Sequence, residues 1–393
     1  MKTGGRMVAH SGPCVDNLLT VPQGEFKLNR LPLRARELLR AWDAADEYLL
    51  NYLAEDGKPP ADARILILND TFGALAVALN RFRPQAISDS YLSQQASRMN
   101  LAGNGLAEDS VSLLNSLEAP DGVFDRVLIK VPKTLALLED QLIRLQPHLT
   151  SSTRVIVGGM IKALPASVWK ILERLVGPAT TSLAHKKARL IFTAPDPKRI
   201  VPANPYPVRY RLEGTDYLIT NHANVFSRDS LDIGTRFFLQ HLPIKSEARD
   251  IIDLGCGNGV VGLMAAVSNP QATVHFVDES FMAVASAREN FYSALGSERQ
   301  AIFRTGDGLT DFEPDSADLI LCNPPFHQQH TVGDQIALSM FKHARRILRP
   351  GGELWVIGNR HLDYPMALKR LFGSCAVIAA NSKFVILHAC VND

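Results

Sequence analysis

At 393 residues, with 46% hydrophobic and 21% charged side chains, the chain is too long for one ordinary domain. Its composition is that of a globular protein with a sizeable core, which excludes disordered, fibrous and membrane-embedded classes. Net charge is only +2, but the basic excess lies in residues 1–200 and the second half is net acidic; this suits a polyanion-facing first half, or simply a solvated charged face.

Residues 1–24 hold no continuous apolar segment of the signal-peptide kind and read as a flexible N-terminal extension. No apolar run anywhere approaches the length needed to span a bilayer. The cysteines (Cys14, Cys256, Cys322, Cys375, Cys390) lack Cys-x-x-Cys spacing, which argues against disulfides or a zinc site and suits a reducing cytoplasm.

Short apolar strands then alternate with helical stretches, the pattern of a doubly wound α/β sheet. In the first half, strands are expected at Arg64–Leu68, before Ser88, at Phe124–Ile129, at Val155–Gly159 and at Lys187–Thr193, with a helix through Ala96–Asn100. Residues 195–211 carry Pro195, Pro197, Pro202, Pro205 and Pro207, a semi-rigid linker between units at 25–194 and 212–393. In the second half, strand Asp250–Leu254 leads through a glycine loop into helix Val260–Ser268, which Asn269-Pro270 stops. Strands follow at Thr273–Asp278, Ala301–Arg304, Leu319–Cys322 and Glu353–Ile357, with helices from Phe281 and up to Leu348 between them. Val377–Ala380 and Phe384–Ala389 read as a closing hairpin.

The two halves match element by element, which makes the chain a tandem duplication. Ile87–Ser90 aligns with Phe276–Glu279, Ala96–Asn100 with the segment ending at Asn290, and Val155–Gly159 with Trp355–Asn359. The copies diverge where chemistry would sit. Asp253–Gly259 aligns with Leu68–Ala74, losing its glycines, and Asn323–Phe326 aligns with Lys130–Lys133. A silent copy retained for nucleic-acid binding would look like this, and so would a structural remnant.

Asn323-Pro324-Pro325-Phe326 follows an apolar strand. Both prolines fix φ and lack N–H donors, so the turn is stiff. It offers an amide oxygen, a free carbonyl and an aromatic face, a set that fits a flat substrate with an exocyclic amine. The bland alternative is a rigid turn with a buried Phe326. His327 and His330 have no third partner for a metal, and His327 is a candidate proton acceptor. Upstream, Gly257-Asn258-Gly259-Val260-Val261-Gly262 satisfies G-x-G-x-x-G, with Asp278 about 20 residues on. Asp253 just ahead of it would repel a dinucleotide pyrophosphate and suits a cationic ligand. Asp253, Asp278, Asp307 and Asn323 all fall at strand ends, where open α/β sheets bind ligands.

Residues from about Phe26 onward resemble the RlmG family of large-subunit 23S rRNA guanine-N2 methyltransferases, which resembles in turn the small-subunit RsmC enzymes. The specific segments are Ala41-Trp42-Asp43-Ala44-Ala45-Asp46-Glu47-Tyr48-Leu49-Leu50 and Asn221-His222-Ala223-Asn224-Val225-Phe226-Ser227-Arg228. Asp253–Gly259, Asn323–His327 and Asn359–Tyr364 add to them; the glycine loop and Asn-Pro-Pro-Phe occur in many amine methyltransferases. The resemblance implies two class I (Rossmann-like) methyltransferase domains, each sheet ending in an antiparallel hairpin. The first is degenerate and binds RNA; the second uses S-adenosylmethionine. The implied cofactor residues are Asp253, Gly255, Cys256, Gly257, Asn258 and Gly259 of the loop, Asp278 and Glu279, Asp307, Asn323, and the covering Phe226 and Thr235. Asn323, Pro324, Pro325 and Phe326 are the expected catalytic group, without metal. Lys130, Lys133, Lys186, Lys187 and Arg189 are the expected RNA contacts of a cytoplasmic monomer acting on 23S rRNA. Small-subunit rRNA, adenine or a protein glutamine as acceptor, and a non-catalytic RNA-binding role, are the alternatives.

Overall fold

The computed structural model describes residues 16–34, 37–55, 57–325 and 332–392. The first half contains β1 (Leu18–Val21), β2 (Gly24–Lys27), α1 (Ala44–Ala54), β3 (Ile65–Leu68) and α2 (Ala74–Ala78). It continues with β4 (Gln85–Ser88), α3 (Tyr91–Gly103), β5 (Ser112–Asn115), β6 (Arg126–Lys130), α4 (Leu135–Arg144), β7 (Arg154–Met160), α5 (Ala166–Leu175), β8 (Ala179–Thr181) and β9 (Ala188–Thr193). The second half opens with β10 (Val208–Arg211), β11 (Leu218–Asn221), α6 (Ile233–Leu239), β12 (Asp250–Leu254), α7 (Val260–Ser268), β13 (Thr273–Asp278) and α8 (Phe281–Leu295). It closes with β14 (Ala301–Thr305), β15 (Ala317–Cys322), α9 (Val332–Ile347), β16 (Leu348–Asn359), α10 (Tyr364–Phe372), β17 (Ala376–Ala380) and β18 (Phe384–Cys390).

Each half builds one seven-stranded sheet with the same topology, β5-β4-β3-β6-β7-β9-β8 and β14-β13-β12-β15-β16-β18-β17. Neighbours are parallel except at the closing hairpins, β7–β9–β8 and β16–β18–β17. Continuous apolar strands such as Ile65–Leu68, buried at every position, are what a sheet covered on both faces requires. The duplicated α/β architecture expected from the sequence is therefore present.

The ends of the units differ from expectation. Residues 18–27 form the hairpin β1–β2, with Leu19 and Val21 buried in the core, so the N-terminal extension ends before Leu18. Likewise the proline-rich stretch gives way to β10 at Val208, paired with β11. Both hairpins are clasped by the same device. Asn100 Nδ2 donates to the carbonyls of Asn29 and Phe72, while its Oδ1 accepts from Asn29 N–H. Asn290 repeats this with Thr220 and Asn258.

The two sheets meet through the turns after β4 and β13. Ser90 and Ser280 form an antiparallel bridge. Tyr91 N–H donates to the Glu279 carbonyl at 2.9 Å, and Phe281 N–H donates to the Asp89 carbonyl at 3.1 Å. Ala136 and Leu137 of α4 pack there with Ala223, Val225 and Met282.

Candidate active site

The site lies at the carboxyl ends of β12, β13, β14 and β15. Gly255, Gly257 and Gly259 all have left-handed φ (+74°, +53° and +77°), which favours glycine at each. At Gly259 a Cβ would also fall 2.8 Å from the Ala287 Cα, so the turn lets α7 and α8 close together. A Cβ at Gly257 would meet nothing within 4 Å: it faces open space, as a backbone that admits a ligand should. The loop is pinned from behind, because Gly255 and Cys256 N–H both donate to the Val277 carbonyl.

Asp278 accepts from Gly257 N–H through Oδ2 (2.9 Å) and from Ser280 N–H through Oδ1 (3.0 Å), and burial raises its pKa. Asp307 is half-buried just past β14; its carboxylate has no hydrogen-bond partner among the described residues, and burial raises its pKa as well. Asp253 is buried; its Oδ2 accepts from Gly262 N–H at 2.7 Å, and its other oxygen has no hydrogen-bond partner among the described residues. Burial pushes its pKa up to about 8, the backbone bond works against this, and the Asp278 charge adds to it. A cationic group next to these acids would favour their ionised forms.

Other expected residues sit in supporting positions. Asn258 binds Asn221 and Tyr210 of the β10–β11 hairpin. Cys256 points into the core, where burial pushes its thiol well up. Glu279 faces the first domain and accepts from Ser90 Oγ at 2.5 Å. Phe226 is largely exposed on the segment leading to α6.

Asn323 follows the central strand β15. Its Nδ2 donates to Thr235 Oγ1 at 3.2 Å, and Thr235 N–H donates to the helix-capping Asp232 at 2.8 Å. This fixes the amide, and its Oδ1 is buried and has no partner among the described residues. An orphaned buried acceptor costs about 1–3 kcal/mol unless something donates to it. Its carbonyl lies 3.7 Å from where a Gly255 Cβ would be, so the glycine loop and the Asn-Pro-Pro turn touch. Pro324 is buried and Pro325 exposed. Phe326, His327 and His330 lie outside the described residues. Asn359, at the end of β16, also carries a buried Oδ1 with no partner among the described residues. Neither Asn359 nor Asp232 was marked as a site residue from the sequence, although Asp232 three positions before Thr235 is a legible helix cap. Among the described residues, no three His, Cys, Asp or Glu side chains gather as a metal would need.

Sheet register corrects the alignment of the two copies. Leu68 pairs with Ile87 and Ile129 as Leu254 pairs with Val277 and Cys322. Hence Asn69 (φ +64°) stands for Gly255, Gly73 (φ +83°) for Gly259, and Thr71 for Gly257. The first copy thus keeps one glycine and two of the three left-handed positions, Asn69 and Gly73; the expected loss of all the glycines was an alignment shifted by one residue. Asp278 corresponds to Ser88 rather than Asp89, and Asn359 to Met160 rather than Gly159. The match of Asn323 with Lys130 holds.

Lys130 is not an RNA-facing residue. It is 8% exposed and lies between Asp43 (2.7 Å) and Asp46 (2.8 Å), at the positions of Asp232 and Thr235. Those two charges satisfy it inside the domain, and they raise its pKa against the effect of burial. Lys133 and Lys187 are exposed, Lys186 is exposed but bonded to Glu47 at 2.8 Å, and Arg189 is half-buried.

Two tandem Rossmann-like sheets, with a glycine loop, strand-end acids and an Asn-Pro-Pro turn complete only in the second, define a duplicated class I methyltransferase. Family models match accordingly: the RLMG N-terminal domain over residues 16–197 and the methyltransferase small domain over 216–388. The chain is 54% identical to the ribosomal RNA large subunit methyltransferase G of Ectopseudomonas mendocina, covering 95% of this chain and 99% of that protein. It is 50% identical to the protein of the same name from Streptomyces griseus, covering 95% and 99%. This protein belongs to the ribosomal RNA large subunit methyltransferase G (RlmG) family. Its fold is also that of the T. thermophilus 16S rRNA N2 methyltransferase RsmC, solved with AdoMet and guanosine (TM-score 0.74, 22% identity, 95% of this chain and 97% of that one).

Proposed function

We propose that this protein methylates the exocyclic N2 of one guanine in 23S large-subunit rRNA, using S-adenosylmethionine. The observation that carries this reading is the orphaned Asn323 Oδ1 beside an open glycine loop, at the position where the silent copy has a sealed Lys130. When bound, S-adenosylmethionine supplies an electrophilic methyl group. Asp278 and Asp307 would accept from its ribose hydroxyls and adenine amine, and the free oxygen of Asp253 would hold its cationic amino-acid end.

Guanine N2 is a weak nucleophile because its lone pair is delocalised into the ring. Asn323 Oδ1 and the Pro324 carbonyl accept hydrogen bonds from the amine, which helps localise that lone pair and stabilises the positive charge developing on N2. Thr235 holds the Asn323 amide in this orientation before the substrate arrives, so no reorganisation is needed during reaction. The methylated cationic amine is acidic enough to lose its proton without a strong base. Phe326 stacks on the base, which must be unpaired or flipped to enter. Membership of the RlmG family weighs against small-subunit rRNA, adenine or glutamine as acceptor.

The first domain contributes RNA contacts through Lys133, Lys187 and, secondarily, Lys186 and Arg189; Lys130 is left out for the reason given above. The protein acts as a cytoplasmic monomer, and among the described residues no helix is long and apolar enough to cross a membrane. Mass mapping of rRNA from cells lacking the protein should show one methylguanosine missing from 23S rRNA, restored by the purified protein with labelled S-adenosylmethionine. A missing methyl in 16S rRNA, or label that never reaches RNA, refutes the reading.

A further inference from the structure

Asp89, on the catalytically silent domain, is the most heavily hydrogen-bonded acid at the junction between the domains. Its Oδ1 accepts from Ser116 Oγ (2.5 Å) and Met282 N–H (2.9 Å), and its Oδ2 from Ser280 Oγ and Asn224 Nδ2 (2.6 Å each). Four donors occupy the roughly four acceptor positions of an ionised carboxylate. Three of the four come from the catalytic domain. The residue is only 4% exposed, and burial pushes its pKa up while these donors act in the opposite direction.

The partners of Asp89 lead to the cofactor end of the site. Ser280 receives no other acidic partner for its hydroxyl, and its own N–H donates to Asp278 Oδ1 at 3.0 Å. Asp278 Oδ2 in turn accepts from Gly257 N–H at 2.9 Å. A continuous path therefore runs Asp89–Ser280–Asp278–Gly257, from one domain into the glycine loop of the other. Asn224, the fourth donor, belongs to the segment that leads to Phe226, and Thr134 Oγ1 at the start of α4 donates to its Oδ1 at 2.8 Å. The pseudo-equivalent Glu279 makes no such set: its side chain takes a single bond, from Ser90. The clamp is thus one-sided and directed at the intact site.

We infer that Asp89 is a positioning residue for cofactor binding: it fixes the Asp278–Ser280 turn and the Asn224 segment from the neighbouring domain, so the silent copy completes the cofactor pocket of the active one. The inference rests on the proposed function only in taking S-adenosylmethionine as the ligand.

The test is Asp89→Ala in the full-length chain, with S-adenosylmethionine affinity measured by calorimetry without RNA, and KM and kcat measured with rRNA. Loss of the turn's alignment should weaken cofactor affinity and raise its KM by about tenfold or more, as sub-ångström misplacement of a positioned group does. The kcat at saturating cofactor and the affinity for RNA should stay within about twofold of wild type, since neither the Asn323 turn nor a phosphate contact is touched. A merely structural role would lower the thermal midpoint and the active fraction, hence kcat, and leave KM where it was; that result overturns the inference. Where Asp89→Ala does not fold, Ser280→Ala and Asn224→Ala each cut one arm of the clamp and should raise the same KM. Wild-type binding with all three variants unshifted overturns the clamp alone, whereas no binding by wild type overturns the cofactor assignment and the clamp with it.

Discussion

Replacing Lys130 with methionine isolates the energetics of the sealed strand end in the first domain. The substitution keeps most of the side-chain volume and removes the charge that sits 2.7 Å from Asp43 and 2.8 Å from Asp46. Removing one partner from a buried ion cluster costs about 3–5 kcal/mol, because the remaining charges are left uncompensated. Against a total domain stability of about 5–15 kcal/mol, that is about a fifth or more. The loss should also depend on pH. Burial already raises Asp46, while Lys130 keeps Asp43 low despite burial; without Lys130 both acids rise. An acid whose folded pKa exceeds its unfolded one destabilises the fold as pH increases, so Lys130→Met should regain stability as pH falls from 8 towards 5. Wild type should regain less over that range: the raised Lys130 contributes fully below its unfolded pKa and the lowered Asp43 fully above its own, which leaves only the buried Asp46 and Asp70, both raised, to favour lower pH. Urea denaturation followed by the emission of Trp42 and Trp169, in a Trp355→Phe background, reads this domain alone. A loss below about 1 kcal/mol with no pH dependence would refute a buried, charge-compensated Lys130, and so would a reduced salt slope of RNA binding.

Four further outcomes are expected. Asn323→Ala should lower kcat by at least about a hundredfold, the range for loss of a preorganised transition-state partner, while RNA and cofactor affinities stay near wild type in filter-binding and calorimetric assays. Cofactor affinity should rise with pH towards about 8 and then level off, because a cationic ligand favours ionised Asp253, whose pKa is pushed up to about 8; proton release measured across buffers of different ionisation enthalpy checks the sign. Gly259→Ala and Gly73→Ala should destabilise their own domains by similar amounts, about 2–4 kcal/mol in thermal melts, since each has left-handed φ and brings a Cβ within 2.8 Å of a Cα on the following helix. Lys187→Gln should reduce the logarithmic salt slope of RNA binding by nearly one, and Lys186→Gln by less, since Glu47 already neutralises Lys186.

Much of the second domain was legible in the sequence because its strands are uniform apolar runs punctuated by Gly, Pro and Asp; Asp250–Leu254, Val260–Ser268 and Thr273–Asp278 fall where the pattern puts them. The hairpins β1–β2 and β10–β11 were not, because four-residue strands with mixed burial give too short a period to recognise. The loops of the two copies were misaligned by one residue because the first holds a single glycine, Gly73, which is too little to fix the register. In three dimensions Asp70 occupies the place of Cys256 and caps α2 through Gly73 and Ala76 N–H. The charge on Lys130 was visible, but its partners lie 84 and 87 positions away in the chain, so its burial was not. Asp89 left no local trace at all, since three of its four donors belong to the other domain.

The bridge between Ser90 and Ser280 is reciprocal. Tyr91 bonds to Glu279 as Phe281 bonds to Asp89, so each copy offers the other the same pair of groups. Reciprocity of that kind is the mark of an isologous interface, which arises when two identical subunits meet across a two-fold axis. The junction accordingly has the form of a two-fold contact contained within one chain. Its backbone half is symmetric and its side-chain half is not, because Asp89 gathers four donors where Glu279 takes one from Ser90.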